Sequence, residues 1–334
     1  MDSEIPKMYE LEEMVFAINN EKSFETIALE IYRYQFHANS IYGRYNTILG
    51  KNPGVVNKLS EIPFLPISFF KTQRIFTDTE PELIFESSGT TGMNNSFHYV
   101  KNKMVYERSF KQCFELFYGS IDQYCILGLL PSYLERGNSS LVYMVNSLIQ
   151  QSKHPKSGFY LHEMENLHLN LEGLKNDKQK IILFGVTYAL LDFAKHFPFE
   201  YNDLIIIETG GMKGRGKELT RQEVKDQLQM AFSRSMINSE YGMTELLSQG
   251  YSINGYYKTP PWMKILIRDE TDPLSLKPDG QIATGAINVI DLANIYSCSF
   301  IATEDIGKLY ENGSFEVLGR LDNTDIRGCS LLTV

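Results

Sequence analysis

The sequence predicts a layered α/β protein closed by a smaller β-rich part, and three features of its 334 residues carry that prediction. Short apolar runs bounded by Gly, Pro or Asp have the composition of strands buried on both faces of a parallel sheet: "YCILGLLP" at 124–131, "KIILFG" at 180–185 and "DLIIIE" at 203–208. Stretches with helical spacing occur over 104–117, 140–151 and 186–196, and strands alternating with helices build α/β layers. From about residue 250 the texture changes to β-like pieces with turn signals such as "KPDG" and "ENGS".

Taken in order, the first predicted element is an amphipathic helix in which Phe24, Ile27, Ala28 and Ile31 share a face and Ser23 is the N-cap. Near residue 220, Thr220 and Glu223 have capping-box spacing ahead of Val224, Leu228, Ala231 and Phe232, so a helix is expected to begin there. No repeat, low-complexity segment or linker interrupts the chain.

Composition narrows the function classes. A length of 334 residues holds one large or two ordinary domains, and 43% hydrophobic with 12% aromatic content is enough for a core. Lys plus Arg total 32 against 41 for Asp plus Glu, a net charge of -9, with no basic block of five or more, which argues against a nucleic-acid surface. The N-terminus has no basic segment followed by an apolar one, and the longest apolar run, over 181–194, is too short to span a bilayer. A soluble cytoplasmic protein is expected. Cys113, Cys125, Cys298 and Cys329 are far apart without CxxC spacing, which suggests neither a zinc site nor a disulfide framework. The Asn-x-Ser matches at Asn138 and Asn312 are then chance.

Two glycine-rich loops compete for a nucleotide. The first, "FESSGTTGMNNS" at 85–96, follows an apolar run, and consecutive N–H groups in such a turn form a nest that binds phosphate without a cation. Its bland alternative is a solvated Ser/Gly turn. In the second, Gly211 to Lys217 fits G-x-x-x-x-G-K, but Glu218 stands where a P-loop needs a hydroxyl for magnesium. The Thr220 capping box also starts the helix after the lysine. A basic surface loop, or one whose Gly210 and Gly211 let the backbone approach a base, are the other readings.

Three later stretches complete an ordered set: "NSEYGMTELLSQG" at 238–250, "FIATEDIG" at 300–307 and "LGRLDNTDIRG" at 318–328. Singly each is weak, since Y-G-x-T-E also suits an ordinary turn. In this order, SSGTTG, YGMTE, Thr-x-Asp and GRxD, over residues 80–328, resemble the adenylate-forming superfamily of acyl-CoA synthetases, luciferases and peptide-synthetase adenylation domains. The resemblance implies that Ser87, Ser88, Gly89, Thr90, Thr91 and Gly92 grip the phosphates of ATP. It implies that Tyr241 and Gly242 lie by adenine beside Gly210 and Gly211, that Thr244 contacts the α-phosphate, and that Glu245 holds Mg2+. Asp305 would bind the ribose hydroxyls and Arg320 would reach the nucleotide from the hinge.

The chain departs from that pattern in two respects. "MNNS" replaces the lysine usually trailing the phosphate loop, and the sequence ends at Val334, just after the hinge motif, where the superfamily continues into a mobile C-terminal domain with a catalytic lysine. Lys213, Arg215, Lys217, Arg320 and Arg327 are the candidate compensating cations. "LEIYRYQFHANSIYGRY", "IPFLPISFFKTQRI" and "DIRGCSLL" extend a closer resemblance over nearly the whole chain, to the fatty-acyl-protein synthetases of bacterial luminescence systems. That resemblance implies an adenylation domain over 1–319 with its β-rich part from about 250, followed by a hinge motif and cysteine-bearing tail over 320–334. It also implies activation of a fatty or other carboxylic acid with ATP, transfer of the acyl group to Cys329 near the C-terminus, and passage to an acceptor protein.

Attack of a carboxylate on the α-phosphate makes a mixed anhydride with AMP as leaving group, while magnesium neutralises the pyrophosphate. A thiolate is the nucleophile that would accept the acyl group, and Arg327 and Arg320 are the cations close in sequence to Cys329. The competing reading makes Cys329 part of a packed apolar tail. An enzyme that passes the acyl group to a separate carrier, and a non-catalytic homologue that binds nucleotide or acyl groups, are the other classes. His98 is read as catalytic or structural, and "LLPSYLERG" at 129–137 as an acyl-pocket wall or as core and turn.

Overall fold

In the computed structural model, which describes residues 8–88, 95–132, 134–175, 179–201, 203–210, 219–233 and 235–321, side-chain caps set the course of the N-terminal helices. After α1 (Met8–Phe16), α2 (Glu21–Ala38) begins three residues earlier than the Ser23 cap predicts. Asn20 is the cap: its side chain accepts from Ser23 N at 2.9 Å, and Ser23 returns a bond as the third residue of a capping box. Ser23 is therefore the partner of the cap. Phe24, Ile27, Ala28 and Ile31 are buried as expected. Asn39 then caps α3 (Ser40–Ile48), accepting from Ile41 N and Tyr42 N.

β1 (Leu65–Pro66) and α4 (Phe69–Thr72) lead to a separate hairpin of β2 (Leu83–Glu86) and β3 (Phe97–Val100), which carries the loop over 87–96 at its tip. The layered region follows as α5 (Lys103–Tyr118), β4 (Tyr124–Leu129), α6 (Ser140–Ser152), β5 (Gly158–Phe159), α7 (Met164–Leu174), β6 (Lys180–Val186), α8 (Thr187–His196), β7 (Leu204–Thr209), α9 (Arg221–Ala231) and β8 (Met236–Tyr241). The three apolar runs are β4, β6 and β7, parallel to one another and to β8, with Leu127, Leu183, Ile206 and Ile237 level across the sheet. Helices cross over between them, as parallel pairing requires. Burying each Leu or Ile here contributes roughly 1.5–3 kcal/mol.

From residue 250 the strands are β9 (Gly250–Ile253), β10 (Tyr256–Lys258), β11 (Met263–Arg268), β12 (Ala283–Asp291), β13 (Phe300–Leu309) and β14 (Phe315–Arg320), all antiparallel to their neighbours among them. Both turn signals hold, with positive φ at Gly280 and Gly313. The β-rich part continues the parallel strands edge to edge: among the described residues one sheet runs β11-β12-β13-β14-β10-β9-β8-β7-β6-β4-β5, with β1 beside β13. β12 and β13, of 9 and 10 residues, are longer than the short pieces expected.

The two N-terminal segments that carry the closer resemblance support the turn after β12. Gln35 of α2, fully buried, donates to Asn294 O, Ile295 O and the Ser299 hydroxyl, and Asn39 donates to Ser297 O. Leu65 and Pro66 pair in parallel with Ile301 and Ala302, which brings Phe70 edge-on to the His98 ring at 5.9 Å.

Candidate active site

The parallel strands β6, β7 and β8 end on one edge of the sheet, and β8 ends at Tyr241 where the next pairing, β8 with β9, turns antiparallel. Open α/β sheets bind ligands at such carboxyl edges. Gly210 follows β7 with φ of 78°, a conformation that favours glycine. At Gly242 a Cβ would stand 2.2 Å from Glu240 Oε1, so any side chain there would displace that carboxylate. That carboxylate is buried and accepts from the Thr209 hydroxyl at 2.6 Å, tying the ends of β7 and β8; burial pushes its pKa up to about 7.

Across the site the first loop has a closed neck. Ser87 N donates to Ser96 O at 3.0 Å, and Ser96 N donates to the Ser87 hydroxyl at 2.8 Å. Glu86 accepts from Asn95 and Asn138, each at 2.6 Å, pinning both sides of the neck. Ser88 is exposed; Gly89, Thr90, Thr91 and Gly92 lie outside the described residues. So do Gly211, Lys213, Arg215, Lys217, Arg327 and Cys329. The helix after the second loop has its N-cap at Thr220, with the Glu223 capping box present, so α9 starts beyond Lys217.

Three residues predicted from separate motifs meet at one carboxylate. The Tyr241 hydroxyl donates to Asp305 Oδ2 at 3.0 Å, and Arg320 Nε donates to Asp305 Oδ1 at 3.2 Å. Strand register makes the second contact, because Asp305 on β13 is paired with Arg320 on β14. Tyr241 is held edge-on by Phe315 at 5.3 Å and by Tyr257 at 6.0 Å. Asp305 is buried while Arg320 keeps 75% of its side chain exposed, so the charge pair opens toward solvent.

Glu245 is 5% exposed and forms no ion pair within 4 Å among the described residues; Thr244 beside it is half-buried. Burial raises the Glu245 carboxyl, against a hydrogen bond from the Ser96 side chain and the positive charges of Arg320 and Lys71. A buried carboxylate without a counter-ion is costly, and Mg2+ commonly takes one or two protein carboxylates together with substrate phosphates. The site fits such an ion shared with a nucleotide. Among the described residues no group of three or more His, Cys, Asp or Glu could hold a metal by itself.

The turn after Glu245 is held from outside. Asp291, fully buried, accepts from Leu247 N, Ser248 N, the Ser248 hydroxyl and Ala293 N at 2.7, 2.9, 2.6 and 3.2 Å. His98, also fully buried, places Nδ1 2.7 Å from Thr244 O and Nε2 2.9 Å from Asn294 Oδ1. Burial pulls its pKa down to about 4. An inaccessible imidazole does not touch substrate, which decides for the structural reading of His98.

Sequence reasoning missed Lys71, Glu240, Asp291 and Asn294. None carries a local signal, since single Lys, Glu, Asp and Asn residues suit any surface, although Lys71 lies within "FFKT" of a segment already singled out. The stretch 129–137 leans to core and turn: Leu129 and Leu130 are in the core, Leu134 is 97% exposed, and Glu135 bonds Ser132 N and His162. A cavity of ≈ 410 Å³ lies between α9, β8, β10 and β14, and Thr244, Glu245 and Asp305 do not line it. The described cysteines Cys113, Cys125 and Cys298 are buried, and burial pushes the thiols of Cys113 and Cys298 up, the latter to about 12.

The fold is shared with 2-hydroxyisobutyryl-CoA ligase, solved with 2-HIB-AMP and CoA in the thioesterification state: TM-score 0.64 at 12% identity, covering 91% of this chain and 69% of that one. Its open conformation superposes with a TM-score of 0.63 at 11% identity, covering 91% and 76%. The expected layered α/β fold is thus the one observed, and it is the fold of that ligase. In sequence the chain is 26% identical over 338 residues to a long-chain-fatty-acid–luciferin-component ligase of Vibrio harveyi, covering 90% of this chain and 84% of that protein. It is 24% identical over 364 residues to the protein of the same name from Aliivibrio fischeri, covering 96% and 93%. The family model of acyl-protein synthetase, LuxE, matches residues 11–333, and the chain belongs to that family.

Proposed function

We propose that this protein uses ATP to convert a long-chain fatty acid to its acyl adenylate, then moves the acyl group to the Cys329 thiol and on to an acceptor protein. The observation that carries the reading is the convergence on Asp305 of Tyr241 and Arg320, with Glu245 near the Arg320 charge and bonded by Ser96 at the neck of the serine- and glycine-rich loop. Family membership and the names of the two ligases support a fatty acid as substrate.

In this reading the loop residues Ser87, Ser88, Gly89, Thr90, Thr91 and Gly92 donate to the phosphates, and the Thr244 hydroxyl donates to the α-phosphate. Glu245 would hold Mg2+, which when bound supplies positive charge to the phosphates. Adenine lies by Tyr241 and Gly242 on one side and Gly210 and Gly211 on the other, while Asp305 accepts from the ribose hydroxyls. Arg320, anchored on Asp305, adds a cation at the mouth, and Lys71 near Glu245 adds another. A carboxylate oxygen of the acid bonds to the α-phosphorus as the bond to pyrophosphate breaks. The Cys329 thiolate then attacks the acyl carbon, AMP leaves, and the thiol proton passes to solvent. The burial of Cys113, Cys125 and Cys298 supports Cys329 as acceptor, because a buried thiol is out of reach of the adenylate, and at Cys113 and Cys298 burial also raises the thiol, leaving little thiolate. Dependence on ATP supports a cytoplasmic location; separately, among the described residues no helix is long and apolar enough to cross a membrane.

Intact-mass measurement after incubation with ATP, Mg2+ and a panel of carboxylic acids tests the reading. A hydroxylamine-labile gain equal to one acyl group in place of a hydrogen is expected for long-chain acids. Absence of both that adduct and carboxylate-dependent pyrophosphate exchange would overturn it.

A further inference from the structure

We infer that His98 and Asn294 are positioning residues: together they fix the backbone of Thr244 and Glu245 against the phosphate loop, and so aim the Glu245 carboxylate at a metal–nucleotide complex. The inference rests on the function proposed above. Thr244 O lies 2.7 Å from His98 Nδ1, and the next carbonyl, Glu245 O, accepts from Asn294 Nδ2 at 2.9 Å. The same Nδ2 donates to Cys298 O at 2.9 Å. Two carbonyls around one nitrogen fix which end of the amide is which, so Asn294 Oδ1 is the atom 2.9 Å from His98 Nε2. A neutral imidazole carries a single N–H; with it assigned to Nδ1, His98 donates to Thr244 O while Asn294 donates to Glu245 O, so the two side chains hold two consecutive carbonyls side by side.

Asp291 takes the N–H groups of Leu247 and Ser248, so the backbone on both sides of the Glu245 side chain is held by groups outside its own segment. The brace also reaches the loop. His98 lies on β3 two residues after Ser96, which closes the loop's neck onto Ser87. It is backed by the Phe70 ring, and Gln35 holds the Asn294 carbonyl. The distance between Ser87 and Ser96 at the loop's neck and Glu245 is thus set through β3 and not through the long intervening chain. Side chains that orient a metal ligand without touching the metal typically change metal affinity by about 10–100-fold when removed.

Calorimetric binding of α,β-methylene-ATP, with Mg2+ and with chelator, reads this directly. In the wild type Mg2+ should tighten binding. His98→Ala and Asn294→Ala should each reduce that gain by about tenfold while leaving metal-free binding within about twofold. His98→Gln, which keeps a donor toward the Thr244 carbonyl, should recover most of the gain. If His98→Ala fails to fold, Asn294→Ala decides the question in the same way. An unchanged Mg2+ gain in folded His98→Ala or Asn294→Ala overturns the inference and makes the pair merely structural. When wild type also exchanges pyrophosphate in a carboxylate-dependent way, that result removes the inference alone; wild type without exchange removes the proposed function beneath it as well.

Discussion

Replacing Glu240 by Gln should flatten the pH dependence of stability, because this carboxyl is the buried tie between the ends of β7 and β8. It accepts from Thr209 at 2.6 Å, and burial raises it to about 7, with the Thr209 bond lowering it and the Glu208 charge raising it further. In the unfolded chain it titrates near 4.5. A folded-state pKa above the unfolded one means that the unfolded chain loses the proton first as pH rises. The stabilisation is therefore complete below about pH 4.5 and is lost as pH climbs through about 7. A separation of about 2.5 units amounts to about 3 kcal/mol in all, of which about 1 kcal/mol falls between pH 6 and pH 8.5. Gln keeps an acceptor for Thr209 and mimics the neutral acid without titrating. Urea unfolding of both proteins at pH 6 and at pH 8.5 is the assay, and the difference between their pH dependences cancels groups that titrate alike in both. Wild type should lose about 1 kcal/mol more than Glu240→Gln over that interval. Equal losses, or a larger loss in the variant, would refute the argument.

Other substitutions test the site. Glu245→Ala should abolish carboxylate-dependent pyrophosphate exchange with circular dichroism unchanged; normal exchange would sink the metal assignment. Lys217→Ala should lower exchange only modestly, and a folded variant that no longer binds ATP would restore the P-loop reading of the second glycine-rich loop. Cys329→Ser should retain exchange but lose the hydroxylamine-labile acyl mass, and a variant that keeps that thioester would place the acceptor at another cysteine. Asp291→Ala leaves the buried Leu247, Ser248 and Ala293 N–H groups without their acceptor, so it should cost at least about 3 kcal/mol in urea unfolding; a loss under about 1 kcal/mol would contradict that accounting.

What the sequence alone determined about this protein is whatever its neighbours along the chain decide. The runs at 124–131, 180–185 and 203–208 read as buried parallel strands because strands covered on both faces need continuous apolar side chains, and they are β4, β6 and β7. The Thr220 box and the turns at Gly280 and Gly313 were equally legible, since capping and positive φ act over three or four residues. Even there a competing local bond misled: Asn20 outranks Ser23 as cap, and both have the chemistry for it. Through their resemblance to the adenylate-forming superfamily, the ordered motifs pointed to Tyr241, Thr244, Glu245, Asp305 and Arg320 as one expected site, although 79 positions separate the first from the last. Only the tertiary structure decided what holds them. Asp305 meets Arg320 through the register of β13 and β14, and Tyr241 through the order of strands in the sheet. Asn294 and Asp291 lie more than 40 residues from the backbone groups they bind near Glu245, and His98 lies 146 from Thr244. No pattern of spacing encodes such bonds, because a lone polar side chain is the same in solvent as in a core. Burial turns these three residues from indifferent surface chemistry into fixed partners, and burial is a property of the packed sheet.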